Sequence, residues 1–117
     1  MKERDDRFYV LHILECIGNI EHDTAAGKEF FIGNRTYRDA VLRNLQILAE
    51  SSTRIEAPFQ ARHPEIPWRE VARFRNVAVH DYLDIDYDEV WLIVTEDLPE
   101  LKRHLTRIAA DLERPHS

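Results

Sequence analysis

Arg75, Asn76, His80 and Tyr82 stand close together in the stretch RFRNVAVHDYLDID, residues 73 to 86, and their types suit acid–base and phosphate chemistry. A histidine with an ordinary pKa near 6.5 takes up and returns protons close to neutrality. An arginine presents a planar, permanently charged fork that matches phosphate oxygens. The residues around them are apolar, and arginine or histidine on a buried helix is costly unless it is paired or functional. At about 100° per residue, Arg75 and Tyr82 fall on nearly one face of a helix, while Asn76 and His80 share the neighbouring face. The same geometry separates Arg75 from His80 by roughly 140°. The two converge on one atom only if the helix distorts near His80 or if two subunits supply them. A purely structural role also fits these residues, with Arg75 and His80 capping the helix or pairing with Asp81, Asp84 or Asp86.

Other chemistry-bearing residues are fewer. Arg69 and Arg73, four apart, either extend a phosphate-gripping edge for RNA beside Arg75 or form a solvent-facing pair. Glu50 either approaches the site as a partner or stays solvated. His12 and Cys16 have the spacing of a metal pair, but no further ligands accompany them, so a packed helix face is the expectation and no metal or cofactor is assigned. His22, His63, His104 and His116 are scattered and receive no role.

The elements that must position these residues are legible from apolar spacing. From Asp5 to about His22, Phe8, Leu11, Leu14, Ile17 and Ile20 recur at three- and four-residue steps, which predicts a first amphipathic helix. Thr24 to Asn34 reads as a connection pinned by Phe30 and Phe31. Thr36 and Asp39 resemble a capping box for a second helix that keeps Val41, Leu45, Leu48 and Ala49 in register to about Ile55. Pro58, Pro64 and Pro67 then enforce a loop with at most a short turn. Pro67 suits the first position of a third helix running to about Asp81. Its Trp68, Val71, Phe74, Val77, Ala78 and Val79 cover most of the circumference, which predicts burial on more than one side, within a bundle or against a second copy. Asp86 is placed to cap a fourth helix, with Asp88 and Glu89 in its first turn. That helix continues through Val90, Trp91, Ile93, Val94, Leu98, Leu101, Leu105 and Ile108, and Pro99 must kink or break it. No strand pattern competes. The reading is an all-α, four-helix up-and-down bundle in one domain, residues 1–117, with a frayed tail at about 113–117.

The 117 residues suffice for one self-supporting core. Hydrophobic residues at 44% and charged residues at 32% exclude a disordered tail or a low-complexity linker. The single cysteine excludes an internal disulfide and fits a reducing cytoplasm. No apolar run approaches a membrane span, so no membrane partner is expected. The net charge of -6 argues against indiscriminate nucleic-acid coating. Yet 13 of the 16 basic residues are Arg and 3 are Lys, a bias toward the fork that grips phosphate.

The spacing of Arg75, Asn76, three residues, His80, one residue and Tyr82 resembles the Arg-x4-His-x-Tyr motif of HEPN-domain ribonuclease toxins, in particular the HepT branch of HepT/MntA toxin-antitoxin systems. AVLRNLQILAES, residues 40 to 51, is similar to that family's second helix, and IDYDEVWLIVTEDLPEL, residues 85 to 101, to its last one. The departures are Ala78, where a larger aliphatic is common, and Ala49, where Gly is common, and both concern packing. The resemblance implies a HEPN-like bundle and a metal-independent RNA endonuclease, with Arg75 and His80 catalytic and Asn76 supporting. It also implies a homodimer whose two motifs face one another in a composite cleft, which would answer the 140° separation. Tyr82 is then the position at which a cognate MntA-like minimal nucleotidyltransferase, the antitoxin, attaches AMP. The substrate class is cellular RNA, tRNA or mRNA. An alternative within the same fold is a non-catalytic nucleotide-binding module or nucleotidyltransferase partner, and a third reading is a helical adaptor. On the nuclease reading, an acidic protein with an arginine-rich repertoire needs a local positive groove and few phosphate contacts.

Overall fold

The computed structural model describes residues 5–79 and 85–113, all of whose regular structure is helical. His80, Tyr82, the expected end of the third helix at Asp81 and the tail from 114 onward lie outside the described residues. Helix α1 is Asp6–Asp23, α2 Lys28–Gly33, α3 Arg35–Arg54, α4 Ala57–Arg62 and α5 Trp68–Val79. The last long rod is α6, Tyr87–Leu92, a π-helical turn at Ile93–Asp97, and α7, Leu98–Glu113. Four long helical runs therefore form the bundle, as expected, with α2 and α4 as short additions in its connections. Helix α3 is central: it packs against α1 on one side and α5 on the other, and α7 packs against α1.

Helix α1 begins where Asp5 accepts the Phe8 amide at 2.9 Å. Its buried face is Tyr9, Val10, Ile13, Cys16, Ile17 and Ile20. Ile17 and Ile20 bury as the spacing requires, but its first half is corrected: Phe8 is exposed and Leu11 and Leu14 are half-buried at the edge of the stripe. Apolar residues run around much of α1, so two registers satisfy the periodicity, and contact with α3 and α7 selects between them. Ser51 of α3 lies 3.0 Å from Nδ1 of His12, and Cys16 is enclosed, so the pair spaced like metal ligands serves the packed face. Burial pushes the Cys16 thiol up to about 11, with the neighbouring Glu15 charge adding to the effect.

The chain turns at Gly27, whose φ of 100° is open to glycine at little cost. Phe31 of α2 is then fully buried against Trp91 and Tyr87, with ring centroids 5.7 and 6.1 Å away. The N-cap of α3 is Asn34, whose side chain accepts the Tyr37 amide at 3.4 Å. Thr36 and Asp39 do not form the expected capping box. Both are exposed, and Asp39 pairs with Arg35 instead. Asn and Asp cap as well as Ser or Thr, and Asn34 stands earlier in the chain. Val41, Leu45, Leu48 and Ala49 bury as the periodicity requires.

Trp68 fastens the proline-rich connection, donating its indole N–H to the carbonyls of Gln60 at 3.2 Å and His63 at 3.0 Å. Pro67 directly precedes α5, and its carbonyl accepts the Val71 amide at 3.0 Å. Within the chain α5 buries one stripe, Val71, Phe74 and Ala78, with Trp68 and Val77 half-buried. Among the described residues, which leave out the Val79 side chain, the single chain buries α5 along that stripe and not on several sides. Arg69, Arg73, Arg75 and Asn76 are all exposed. Asp86 caps α6 as expected, accepting from the amides of Asp88 and Glu89 at 3.0 and 3.1 Å. The disturbance near Pro99 is a π-helical turn immediately before it, in which the Leu98 amide reaches the Ile93 carbonyl. Pro99 has no N–H for the Thr95 carbonyl, and the wider turn absorbs that missing bond without breaking the rod. Buried residues of all the long helices join in one apolar core. Among the described residues no helix is long and apolar enough to cross a membrane.

Candidate active site

Arg75 projects from the exposed side of α5 toward α3. Its Nε lies 3.4 Å from Oε1 of Glu50, a contact that sequence spacing raised only as one of two possibilities. Glu50 in turn accepts from Nε2 of Gln46, one turn earlier on α3, at 3.3 Å. Both members of the ion pair keep about half of their side-chain surface, 52% for Arg75 and 45% for Glu50. A pair this exposed contributes only about 0–1 kcal/mol to folding. Its consequence is orientation. Glu50 holds the guanidinium through Nε, and the two terminal amino groups have no partner among the described residues. An arginine held through Nε keeps its two terminal amino groups for other partners, and such groups donate to phosphate oxygens. Asn76 is exposed beside it.

Arg69 and Arg73 do not join Arg75. On α5 they lie about 120° and 160° around the helix from it, and they line a separate shallow depression of about 670 Å³ with Trp68 and Gln60. The sequence expectation that they lengthen the Arg75 edge is not met within one chain.

A basic feature that periodicity did not single out lies on α3. Arg35, Arg38, Arg43 and Gln46 line an open cleft of about 480 Å³, closed on the other side by Ala78 of α5 and by Ile85. These α3 positions fall within one arc of the helix, and Glu50 continues it, so Gln46 links the cleft to the Arg75 pair. Asp39 is the one acidic residue in the lining, facing three arginines. Arg38 donates Nη1 to the Ile32 carbonyl, its guanidinium lies 5.3 Å from the Tyr87 ring centre, and its Nε is buried without a hydrogen-bond partner. Arg43 is exposed and makes no ion pair among the described residues. The signal available in the sequence was the run Arg35, Arg38, Arg43 at helical spacing.

Negative charge gathers elsewhere. Glu65, Glu70, Asp97 and Glu100 surround a smaller cavity of about 190 Å³ between α5 and the π-helical turn. Partial burial there, together with Glu70, Glu96 and Glu100, holds the Asp97 carboxyl above its ordinary value. Among the described residues no cluster of His, Cys, Asp or Glu is arranged to hold a metal ion.

Comparison with known proteins follows the same direction. Residues 13–108 match the family described as Ribonuclease HepT-like. The chain is 40% identical over 101 residues to "Probable ribonuclease HepT" of Thermococcus cleftensis, covering 86% of this chain and 92% of that protein. It is 37% identical over 106 residues to "Putative RNase MJ1380" of Methanocaldococcus jannaschii, covering 90% and 97% respectively. No solved structure matches. With an exposed arginine on an all-α bundle and a family match across most of its length, the chain belongs to the ribonuclease HepT-like family.

Proposed function

We propose that the protein is the toxin of a toxin-antitoxin pair, an RNA endonuclease that works without metal through Arg75 and His80 in a composite site at a homodimer cleft. The observation that carries this reading is the state of Arg75: exposed, tethered through Nε to Glu50, its two terminal amino groups without a partner among the described residues. Cleavage without metal requires a base to take the 2′-OH proton, donors for the charge that develops on the phosphorane, and an acid for the departing 5′ oxygen. His80 performs the proton transfers, and the guanidinium of Arg75 stabilises the pentacoordinate phosphate. The 2′ oxygen bonds to phosphorus as the bond to the 5′ oxygen breaks, and the proton taken from the former is balanced by one given to the latter. Asn76, one turn before His80, orients the imidazole or donates to a phosphate oxygen. Two subunits supply these groups to one cleft, since a single regular helix sets Arg75 and His80 roughly 140° apart.

Tyr82 is the control point on this reading. An MntA-like nucleotidyltransferase attaches AMP to it, adding bulk and negative charge beside the position of an RNA phosphate, and like-charge repulsion weakens substrate binding. The test is subunit complementation with protein made in the absence of a nucleotidyltransferase. Arg75→Ala and His80→Ala homodimers should each be inactive on cellular RNA, and mixing them after dissociation should restore cleavage above both. Mixed dimers that stay as inactive as the parents would sink the composite site. Unchanged intact mass of Tyr82-containing peptide after co-expression with an active partner enzyme would sink the control point.

A further inference from the structure

We propose that the cleft on α3 is a phosphate-binding subsite for single-stranded RNA, in which Arg43 and Arg38 hold backbone phosphates of nucleotides flanking the one at Arg75. The inference rests on the nuclease reading above for the position of the reacting phosphate. The cleft itself stands on separate observations.

The first is charge. In a chain of net charge -6, three arginines meet one aspartate around a single open cavity of about 480 Å³. The aspartate is engaged with Arg35 at 3.6 Å, which leaves Arg38 and Arg43 without a carboxylate partner among the described residues. The second is a pre-placed arginine. Nε of Arg38 is buried without a hydrogen-bond partner among the described residues, out of a ligand's direct reach, so this guanidinium meets a phosphate in the cleft through its terminal amino groups. The Tyr87 ring and the Ile32 carbonyl fix this guanidinium in place, so little side-chain freedom remains to be lost on binding. The third is continuity. Gln46 lines the cleft and donates to Glu50, and Glu50 holds Arg75, so the cleft and the catalytic arginine share one edge of α3.

Distance decides the role. Along the α3 axis Arg43 and Arg38 lie about 10 and 18 Å from Glu50 at 1.5 Å per residue. Phosphates held there are neighbours of the reacting one, so these arginines are positioning residues whose loss weakens binding and leaves the chemical step nearly intact. Arginine forks on successive turns suit a chain of phosphates better than a single anion. An acidic protein surface would also be attracted to them, and RNA binding separates the two.

The test measures anisotropy of a 5′-fluorescein-labelled, unstructured oligoribonucleotide of about 12 nucleotides, a length that single-strand grooves cover. His80→Ala protein is used so that the probe survives. Adding Arg43→Gln should raise Kd about five- to tenfold and lower the slope of log Kd against log salt by about 0.7, the value for one phosphate contact on a single strand. Arg38→Gln should do the same. Arg38 also holds the Ile32 carbonyl and its loss can disturb α2, so Arg43→Gln decides. Arg103→Gln, an exposed arginine of α7 that lines no part of the cleft, should change neither quantity. In the background with His80 intact, Arg43→Gln should raise KM by the same factor with kcat within twofold. Unchanged Kd and slope for Arg43→Gln, equal effects from Arg103→Gln, or no binding of the probe would overturn the subsite. Wild-type protein that cleaves RNA while Arg43→Gln binds normally removes the subsite and leaves the nuclease. Arg43-dependent binding by a wild-type protein that cleaves nothing removes the nuclease and upholds the subsite.

Discussion

Replacing Arg75 by alanine should separate catalysis from folding. On the folding side the change removes one ion pair, Nε to Glu50 at 3.4 Å, between side chains that are each about half exposed. Such a pair contributes about 0.5 kcal/mol, and alanine is at least as good a helix former as arginine, so the net loss is small. For a chain of this size that corresponds to a melting shift of about 3 °C or less. On the catalytic side the change removes the two terminal donors that would meet the phosphorane. Deleting one well-placed oxyanion donor in other enzymes costs about 10²- to 10³-fold in rate, roughly 3–4 kcal/mol, and kcat/KM should fall at least that far. Arg75→Lys keeps the charge while losing both the Nε contact and the fork, so it should fall between wild type and alanine. Glu50→Ala leaves the guanidinium charged but untethered. Freeing one rotamer-rich side chain costs about 0.5–1.5 kcal/mol, so kcat/KM should drop about two- to tenfold with melting unchanged. The assay is single-turnover cleavage of a labelled RNA by protein free of AMP, alongside thermal denaturation of the same preparations. If Arg75→Ala keeps kcat/KM within tenfold of wild type, or loses activity only in proportion to the fraction unfolded, the assignment of Arg75 to the reacting phosphate is wrong.

Three further outcomes test the physical reasoning about the fold. The buried Cys16 thiol, raised to about 11, stays protonated in the native state while the unfolded chain ionises near 9. Stability from this group is thus fully present below about pH 9 and declines toward 11, by about 1.4 kcal/mol per pH unit. Urea midpoints from pH 8 to 10.5 should therefore fall more steeply for wild type than for Cys16→Ala, and parallel curves would contradict it. Asp97 is held above its ordinary value by partial burial and then by Glu70, Glu96 and Glu100, so its ionised form opposes folding near neutrality. Asp97→Asn should raise the melting temperature at pH 7, an advantage that shrinks as pH falls through the carboxylate range, and a gain independent of pH would point to another cause. Asn34→Ala should cost about 1 kcal/mol in denaturant unfolding as the lost cap of α3, whereas Thr36→Ala should cost only a few tenths. The reverse order would restore the capping box that the spacing suggested.

The sequence by itself determined the four long elements and the chemical vocabulary. Prolines at 58, 64 and 67 delimited a connection because a residue without an N–H cannot sit in a helix interior. Asp86 announced the cap it forms, and Pro99 announced a disturbance in the last rod, because these effects act within a turn or two of the residue responsible. The Arg75, His80, Tyr82 spacing was equally local and needed no fold to be noticed. Tertiary structure decided everything that depends on which surfaces meet. α1 is apolar around most of its circumference, so contact with α3 and α7, and not periodicity, set its buried face on Tyr9, Val10 and Ile13 instead of Phe8, Leu11 and Leu14. Arg69 and Arg73 are nearer to Arg75 in sequence than Glu50 is, yet helical phase turns them away while the packing of α5 on α3 brings Glu50 to 3.4 Å. Arg35, Arg38 and Arg43 line a cleft only because the packing of the bundle sets Ala78 and Ile85 on its other side. Local sequence fixes which groups a helix carries and at what angle, and the packing of one helix on another fixes which of those groups share a site.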